Sequence, residues 1–272
     1  MNRILNYFHA IRTITVDLSI ENITAEEIAE SFNDIKAYDN IENVHFTDFS
    51  SDTFVTCEFI IQILKRVPNL KSFSLKYMEI DLIDMLFNRL REKKLEFPNL
   101  KKISINDYDG PINILLWLIQ TFPIEELNIS SYKLSCDSSK LLDNFSSKTL
   151  RKLCISGEST GKVDLLHKCF SNMVNLKELH FLGNPKLIRL FEYNSTIEKV
   201  VFENTWLNSE NIWVDSEDFG IVFAILKTFK SLKCIYVEFD EDYHSYVIMA
   251  FKKHFNGTEV ELIFYSEPFI FQ

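Results

Sequence analysis

The chain has 272 residues, 46% of them apolar and 25% charged, with only six Gly and six Pro. That is the balance of a soluble globular chain and excludes a loop-rich or disordered one. A formal net charge of -10 argues against nucleic acid or an anionic membrane as the main partner, because binding phosphates needs a basic face.

The first elements in the chain are short strands built on one pattern. Ile11-Arg-Thr-Ile-Thr-Val16 is followed by Ile41-Glu-Asn-Val-His-Phe46, Leu70-Lys-Ser-Phe-Ser-Leu75 and Leu100-Lys-Lys-Ile-Ser-Ile105. The series continues with Ile124-Glu-Glu-Leu-Asn-Ile129, Leu150-Arg-Lys-Leu-Cys-Ile155 and Leu176-Lys-Glu-Leu-His-Phe181. It closes with Ile197-Glu-Lys-Val-Val-Phe202 and Leu232-Lys-Cys-Ile-Tyr-Val237. Val260-Glu-Leu-Ile-Phe264 keeps the alternation without the full pattern. Each core alternates apolar and polar residues, the period-2 signature of a half-buried strand.

Between the strands run helical patterns. Thr24 to Ile35 opens with Thr24 and a Glu three residues on, a capping box. Phe59, Ile60, Ile63, Leu64 and Val67 form an apolar stripe, and Ile80 to Leu90 repeats the spacing. Ile112 to Phe122 is apolar throughout, Leu165 to Met173 is a shorter stripe, and Phe219 to Phe229 and Tyr243 to Phe255 end the set. Several helices stop alike, at Val67-Pro-Asn-Leu70, Phe97-Pro-Asn-Leu100, Phe122-Pro-Ile124 and Met173-Val-Asn-Leu176. Proline ends a helix because the residue before it avoids the helical region. A strand, a crossover helix and a parallel strand is the unit this grammar predicts.

The layout Leu176, Leu179, Phe181, Asn184 and Leu187 resembles that of a leucine-rich repeat. The chain is similar to the long, helix-containing repeats of ribonuclease-inhibitor-like proteins. It resembles still more the irregular repeats of F-box proteins, on the Pro-Asn-Leu-Lys units of Pro68 to Leu75 and Pro98 to Ile105. The resemblance covers roughly residues 11 to 237 and carries no F-box. It implies an α/β leucine-rich-repeat solenoid, a horseshoe with parallel strands on the concave face and helices on the convex face. We expect residues 1–272 to form a single domain of nine to ten irregular units. Within it, 1–10 is a candidate N-terminal cap, 203–218 an inserted loop and 256–272 a C-terminal strand and cap. Only Asn184 holds the corner position after the strand; elsewhere it is Ser19, Phe49, Met78, Tyr108, Tyr132, Glu158, Thr205 or Asp240. An asparagine ladder at the corner is therefore not expected, and each corner must satisfy its backbone in another way.

Two units break the rhythm. The unit from Leu176 is short, with room for one helical turn at Leu187 to Phe191, and the unit from Ile197 is long. The extra length of the latter holds Trp206 and Trp213 among five acidic residues. Such insertions often lie on a binding face; alternatively the two rings pack over the gap left by the short unit.

Alternation puts a central row of side chains on the concave face: Thr15, His45, Ser74, Ser104, Asn128, Cys154, His180, Val201 and Tyr236. This row suits a hydrogen-bonded protein or peptide, or is a solvated sheet face. If a partner docks, its anchors are His180, Leu182, Val201, Trp206, Trp213 and Tyr236, since aromatic and apolar groups dominate interface energy. Chemistry has little support. Cys154 and His180 lie one repeat apart, with only Lys152 or Glu178 to orient them. No Gly-rich phosphate loop, G-x-S-x-G elbow or H-E-x-x-H occurs, and no calcium-loop spacing. We therefore expect no enzyme, no cofactor and no metal.

Five scattered cysteines without a C-x-x-C pair suggest reduced thiols and a cytoplasmic or nuclear setting. Met1 to Ala10 has no signal-peptide core, and no apolar run nears the roughly 18 residues of a membrane span. The expected role is a non-catalytic protein-protein interaction module, by resemblance a substrate- or partner-recognition subunit like the F-box repeat proteins. The alternative is a stoichiometric regulator or inhibitor that holds an enzyme in the concave face. Partner identity and oligomeric state are not legible.

Overall fold

The computed structural model describes residues 11–18, 38–47, 53–106, 112–130, 133–134, 147–156, 158–159, 170, 172–182, 185–192, 194–203, 216–238 and 244–265. The chain forms two compact units, one of residues 1–110 and 114–129, the other of 111–113 and 130–272. The predicted helix at 24–35, the corner Asn184 and both Trp206 and Trp213 lie outside the described residues.

In the first unit five parallel strands follow one another in chain order: β1 (Thr13–Asp17), β2 (Asn43–Thr47), β3 (Ser72–Lys76), β4 (Lys102–Ile105) and β5 (Glu126–Ile129). Their register is in step, Thr15 opposite His45, His45 opposite Ser74, Ser74 opposite Ser104 and Ser104 opposite Asn128. The helices α1 (Thr53–Leu64), α2 (Ile80–Glu92) and α3 (Ile112–Thr121) fill the crossovers. α1 turns Cys57, Ile60, Ile61 and Leu64 inward, and α2 does so with Leu82, Ile83, Leu86, Phe87 and Leu90.

The second unit repeats the plan with β7 (Lys152–Ser156), β9 (Glu178–Leu182), β10 (Lys199–Glu203), β11 (Cys234–Glu238) and β12 (Glu261–Tyr265), again parallel and in sequence order. A separate two-residue pair joins β6 (Lys133–Leu134) to β8 (Glu158–Ser159). Helices α4 (Ser216–Leu226) and α5 (His244–Phe255) follow β10 and β11. After β9 there is no room for an α-helix, and Pro185–Phe191 forms a 3-10 helix instead. It buries Leu187, Ile188, Leu190 and Phe191. Phe191 meets Phe170 at 4.7 Å and Phe181 at 5.9 Å between ring centroids, and Phe181 stacks on Phe202 at 5.5 Å. Several of the chain's 24 Phe thus have a packing role: aromatic rings take up the space that a shorter crossover leaves open.

The entry to each strand is built the same way. Leu70 N–H donates to Val67 O, Leu100 to Phe97, Leu176 to Met173, Leu232 to Phe229 and Ile41 to Tyr38. These are β-turns, and Pro68 and Pro98 occupy the second turn position, where their fixed φ is favoured. Beyond the turn, one carbonyl accepts two N–H groups of the next repeat: Glu42 O takes those of Lys71 and Ser72, and Arg151 O those of Lys177 and Glu178. The helix-stop-strand grammar of the sequence is this turn and its doubled acceptor. Each unit is an α/β solenoid of parallel-strand repeats, the fold class that the motif spacing predicts.

Several charged residues at the strand starts pair with opposite charges on neighbouring strands. Glu42 lies between Arg12 at 3.3 Å and Lys71 at 3.0 Å, and Lys101 reaches Glu125 at 2.6 Å. In the second unit Glu198 lies between Lys177 at 2.7 Å and Lys233. Such exposed pairs contribute little to stability, because water and salt screen them.

Candidate partner-binding surface

The face of each sheet turned away from its helices carries the odd-numbered rows that alternation predicts. On the first unit the exposed or half-exposed members include Thr13, Thr15, Asp17, Asn43, His45, Ser72, Lys76, Lys102, Ser104 and Glu126. His45 Nδ1 and Ser74 Oγ hydrogen bond at 2.7 Å, and Asn43 Nδ2 donates to Thr13 Oγ1 at 3.0 Å. Burial lowers the His45 pKa, and the nearby Lys76 and Lys102 charges lower it further, so at neutral pH the ring is uncharged. This face is a strip of hydroxyl, amide and imidazole groups already bonded to one another across strands.

The second unit presents a different surface. Glu178 is its hub. The carboxylate accepts from His180 Nε2–H on its own strand, and from Lys199 Nζ at 2.9 Å on β10. Lys152 Nζ on β7 stands at 3.9 Å. Burial alone would raise the Glu178 pKa, but the hydrogen bonds from His180 and Lys199 and the charges of His180 and Lys152 outweigh it and hold the group at about 2. His180 has the opposite balance. Burial lowers it, the Glu178 bond raises it, and the Lys152 and Lys199 charges lower it, with a net shift downward. Lys199 Nζ also lies 4.8 Å from the Tyr236 ring centroid, a cation–π contact. Tyr236 in turn meets Tyr265 edge to face at 6.5 Å.

Of the anchors expected from sequence, Leu182 and Tyr236 are half-buried on this face and able to meet a partner. His180 and Val201 are on the same face in adjacent strands, directly opposite each other. They are 1% and 0% exposed, so they present no surface and act as the floor beneath the longer Glu178, Lys199 and Tyr236 side chains. Trp206 and Trp213 fall outside the described residues. Cys154 is opposite His180, as the motif alignment predicts, and is 2% exposed; the His180 Nε2–H points to Glu178 rather than to the thiol.

Glu178, Lys199, Glu203 and Glu238 flank the central row, and sequence reasoning did not mark them as site residues. Their importance comes from cross-strand neighbours, and the third and seventh positions of successive motifs were the available signal. Glu203 is the least expected of them. It is 4% exposed, and its Oε2 has no hydrogen-bond partner. Burial, and then the charge of Glu238, raise it to about 7 against the lowering effect of Lys152.

Among the described residues no group of three or more His, Cys, Asp or Glu could hold a metal ion. No described helix is long and apolar enough to cross a membrane.

No family model matches the chain. No curated protein matches it either. Among solved structures, a chain from the yeast complex of Rad7 and Elc1 aligns over 88% of this chain and 83% of its own length, at 14% identity and a TM-score of 0.31. A superposition that loose supports no argument about fold or partner. A Bacteroides fragilis protein aligns over 91% of this chain and 73% of its own length, at 12% identity and a TM-score of 0.54. The chain is similar to that protein in fold, and at this identity in fold alone.

Proposed function

We propose that this chain is a non-catalytic protein-binding module of the leucine-rich-repeat type, which takes a protein or peptide on the helix-free face of its second unit. The observation that carries the proposal is the half-buried Tyr236 held between Lys199 and Tyr265 above a buried floor. A ring fixed by its neighbours loses little entropy on binding, which is what makes aromatic anchors effective. The Lys152–Glu178–Lys199 row beside it supplies charge for orientation and specificity.

Within that reading the finer assignment is a partner-recognition subunit similar to the repeat regions of F-box proteins, supported by the Pro-Asn-Leu-Lys units at Pro68 and Pro98. A second reading, a stoichiometric regulator of a basic enzyme, is favoured by the net charge of -10, since an acidic surface speeds encounter with a basic one. A cytoplasmic or nuclear setting is part of the proposal. It rests on Cys57, Cys154 and Cys234 being free thiols in a chain whose five cysteines show no pairing pattern.

The test is quantitative cross-linking and affinity capture with wild type, Tyr236→Ala, Lys199→Glu and Trp206→Ala. The proposal expects one partner whose recovery falls at least tenfold with Tyr236→Ala and with Lys199→Glu, the former with a thermal melt close to wild type. Equal recovery with all variants would place binding elsewhere. Turnover of a substrate, abolished by Cys154→Ala, would remove the non-catalytic reading.

A further inference from the structure

Two acidic residues at the strand starts of the second unit have lysines on the flanking strands. Glu178 has Lys199 and Lys152, and Glu198 has Lys177 and Lys233. Glu203 lies at the other end of its strand, as the last residue of β10. The register of β10 and β11, Phe202 opposite Val237, sets Glu203 alongside Glu238. The register of β11 and β12 then sets Glu238 opposite Tyr265. Like charges facing each other across strands oppose sheet formation, and a buried carboxylate oxygen without a partner costs more still. Glu203 has both features, since its Oε2 is buried and without a hydrogen-bond partner. The surrounding groups are suited to a cation. Glu238 and Tyr265 are its half-exposed neighbours, Tyr236 meets the Tyr265 ring at 6.5 Å, and the Tyr265 hydroxyl donates to Phe202 O at 3.2 Å, which fixes that ring.

Resting on the protein-binding reading above, we infer that the Glu203–Glu238 pair receives an arginine or lysine side chain of the partner. The incoming cation meets Glu238 at the surface and Glu203 beneath it, with the Tyr236 and Tyr265 rings at its side. Two carboxylates with aromatic flanks bind a cation by charge and by the ring quadrupole together. In the free protein burial and the Glu238 charge leave Glu203 protonated in part at neutral pH. That proton is released to solvent as the cation arrives.

The experiment is selection of a random heptapeptide display library on the full-length chain, followed by anisotropy titration of the selected peptides. The expected peptides share an Arg or Lys at one position. Replacing that residue with Ala, or using Glu238→Gln or Glu203→Gln protein, weakens binding tenfold or more, whereas Glu92→Gln on α2, an exposed carboxylate remote in sequence, leaves it unchanged. Melting curves of the variants exclude loss of fold as the cause. Peptides without a basic residue whose binding is lost with Tyr236→Ala would overturn the cation site and leave the protein-binding face standing. Basic peptides that bind Glu238→Gln and Glu203→Gln as tightly as wild type would overturn it too. No peptide enriched on the wild-type chain would count against both.

Discussion

The side-chain amide of Asn69 donates to the main-chain carbonyl of Asp39, one repeat earlier, at 2.7 Å. Asn175 does the same to Lys148 O at 2.6 Å, and the Ser231 hydroxyl to Ser195 O at 2.6 Å. Asn40 and Thr196 reach slightly further along the preceding repeat, to Ile11 O and Leu176 O. Each donor is the third residue of a strand-entry turn or its equivalent. A ladder of polar side chains therefore ties repeat to repeat at the start of the strand.

Asn69→Ala and Asn175→Ala should each destabilise the chain by about 1 kcal/mol, the usual net worth of one such hydrogen bond. Urea denaturation checks this. An unchanged midpoint for both variants would mean that water replaces the amide without loss.

Glu178 should govern the acid side of the stability curve. Its folded pKa of about 2 is below the ordinary 4.5, so the folded state favours the ionised form. The stability this contributes is complete above about pH 4.5 and is lost as pH falls toward 2. Glu178→Gln should cost on the order of 2–3 kcal/mol at pH 7, and its denaturation free energy should converge on that of wild type as pH drops to 2. A constant gap between the two proteins from pH 7 to pH 2 would refute the assignment.

Glu203 should act in the opposite sense. Its folded pKa is raised to about 7, by burial first and then by Glu238, against Lys152; Tyr265 is the other titratable neighbour among the described residues. The proton-bound folded state is favoured, so this contribution is complete below about pH 4.5 and is lost as pH rises through 7. Glu203→Gln should then be more stable than wild type at pH 8, by roughly 3 kcal/mol. Thermal melts between pH 5 and 8 would show it as a flattened slope in the variant.

Leu179 and Phe181 are 0% exposed between β9 and the elements packed beneath it. Leu179→Asp or Phe181→Asp would bury an unpaired charge, and neither variant should yield folded protein by far-UV circular dichroism. The milder Leu179→Ala should cost about 2–5 kcal/mol. A native spectrum for either Asp variant would show that the strand register is wrong.

Much of the architecture was legible before any coordinates. Alternation from Ile11 to Phe264 marked ten strands, and alignment of the motifs predicted which residues face each other, from Thr15 opposite His45 to Val201 opposite Tyr236. This works because strand periodicity is local, and because parallel repeats joined by short crossovers leave a strand few registers to adopt. The single turn expected at Leu187 to Phe191 is the 3-10 helix at Pro185–Phe191, for the same reason: chain length limits what fits.

The site was less legible. The sequence by itself determined the face on which His180, Val201 and Tyr236 lie, since that depends only on odd or even position along a strand. It did not determine which of them a partner can touch. His180 and Val201 are covered and Tyr236 is not, because cover comes from side chains on neighbouring strands, 20 or more residues away in the chain. No asparagine ladder is expected at the corner after the strand; a polar ladder stands before the strand, at Asn69 and Asn175, because the acceptor carbonyls belong to the previous repeat. Tertiary structure alone placed Glu203 next to Glu238 with an oxygen unsatisfied. Two acids 35 positions apart carry no mark in sequence of sharing a site, and only the stacking of one repeat on the next brings their charges together.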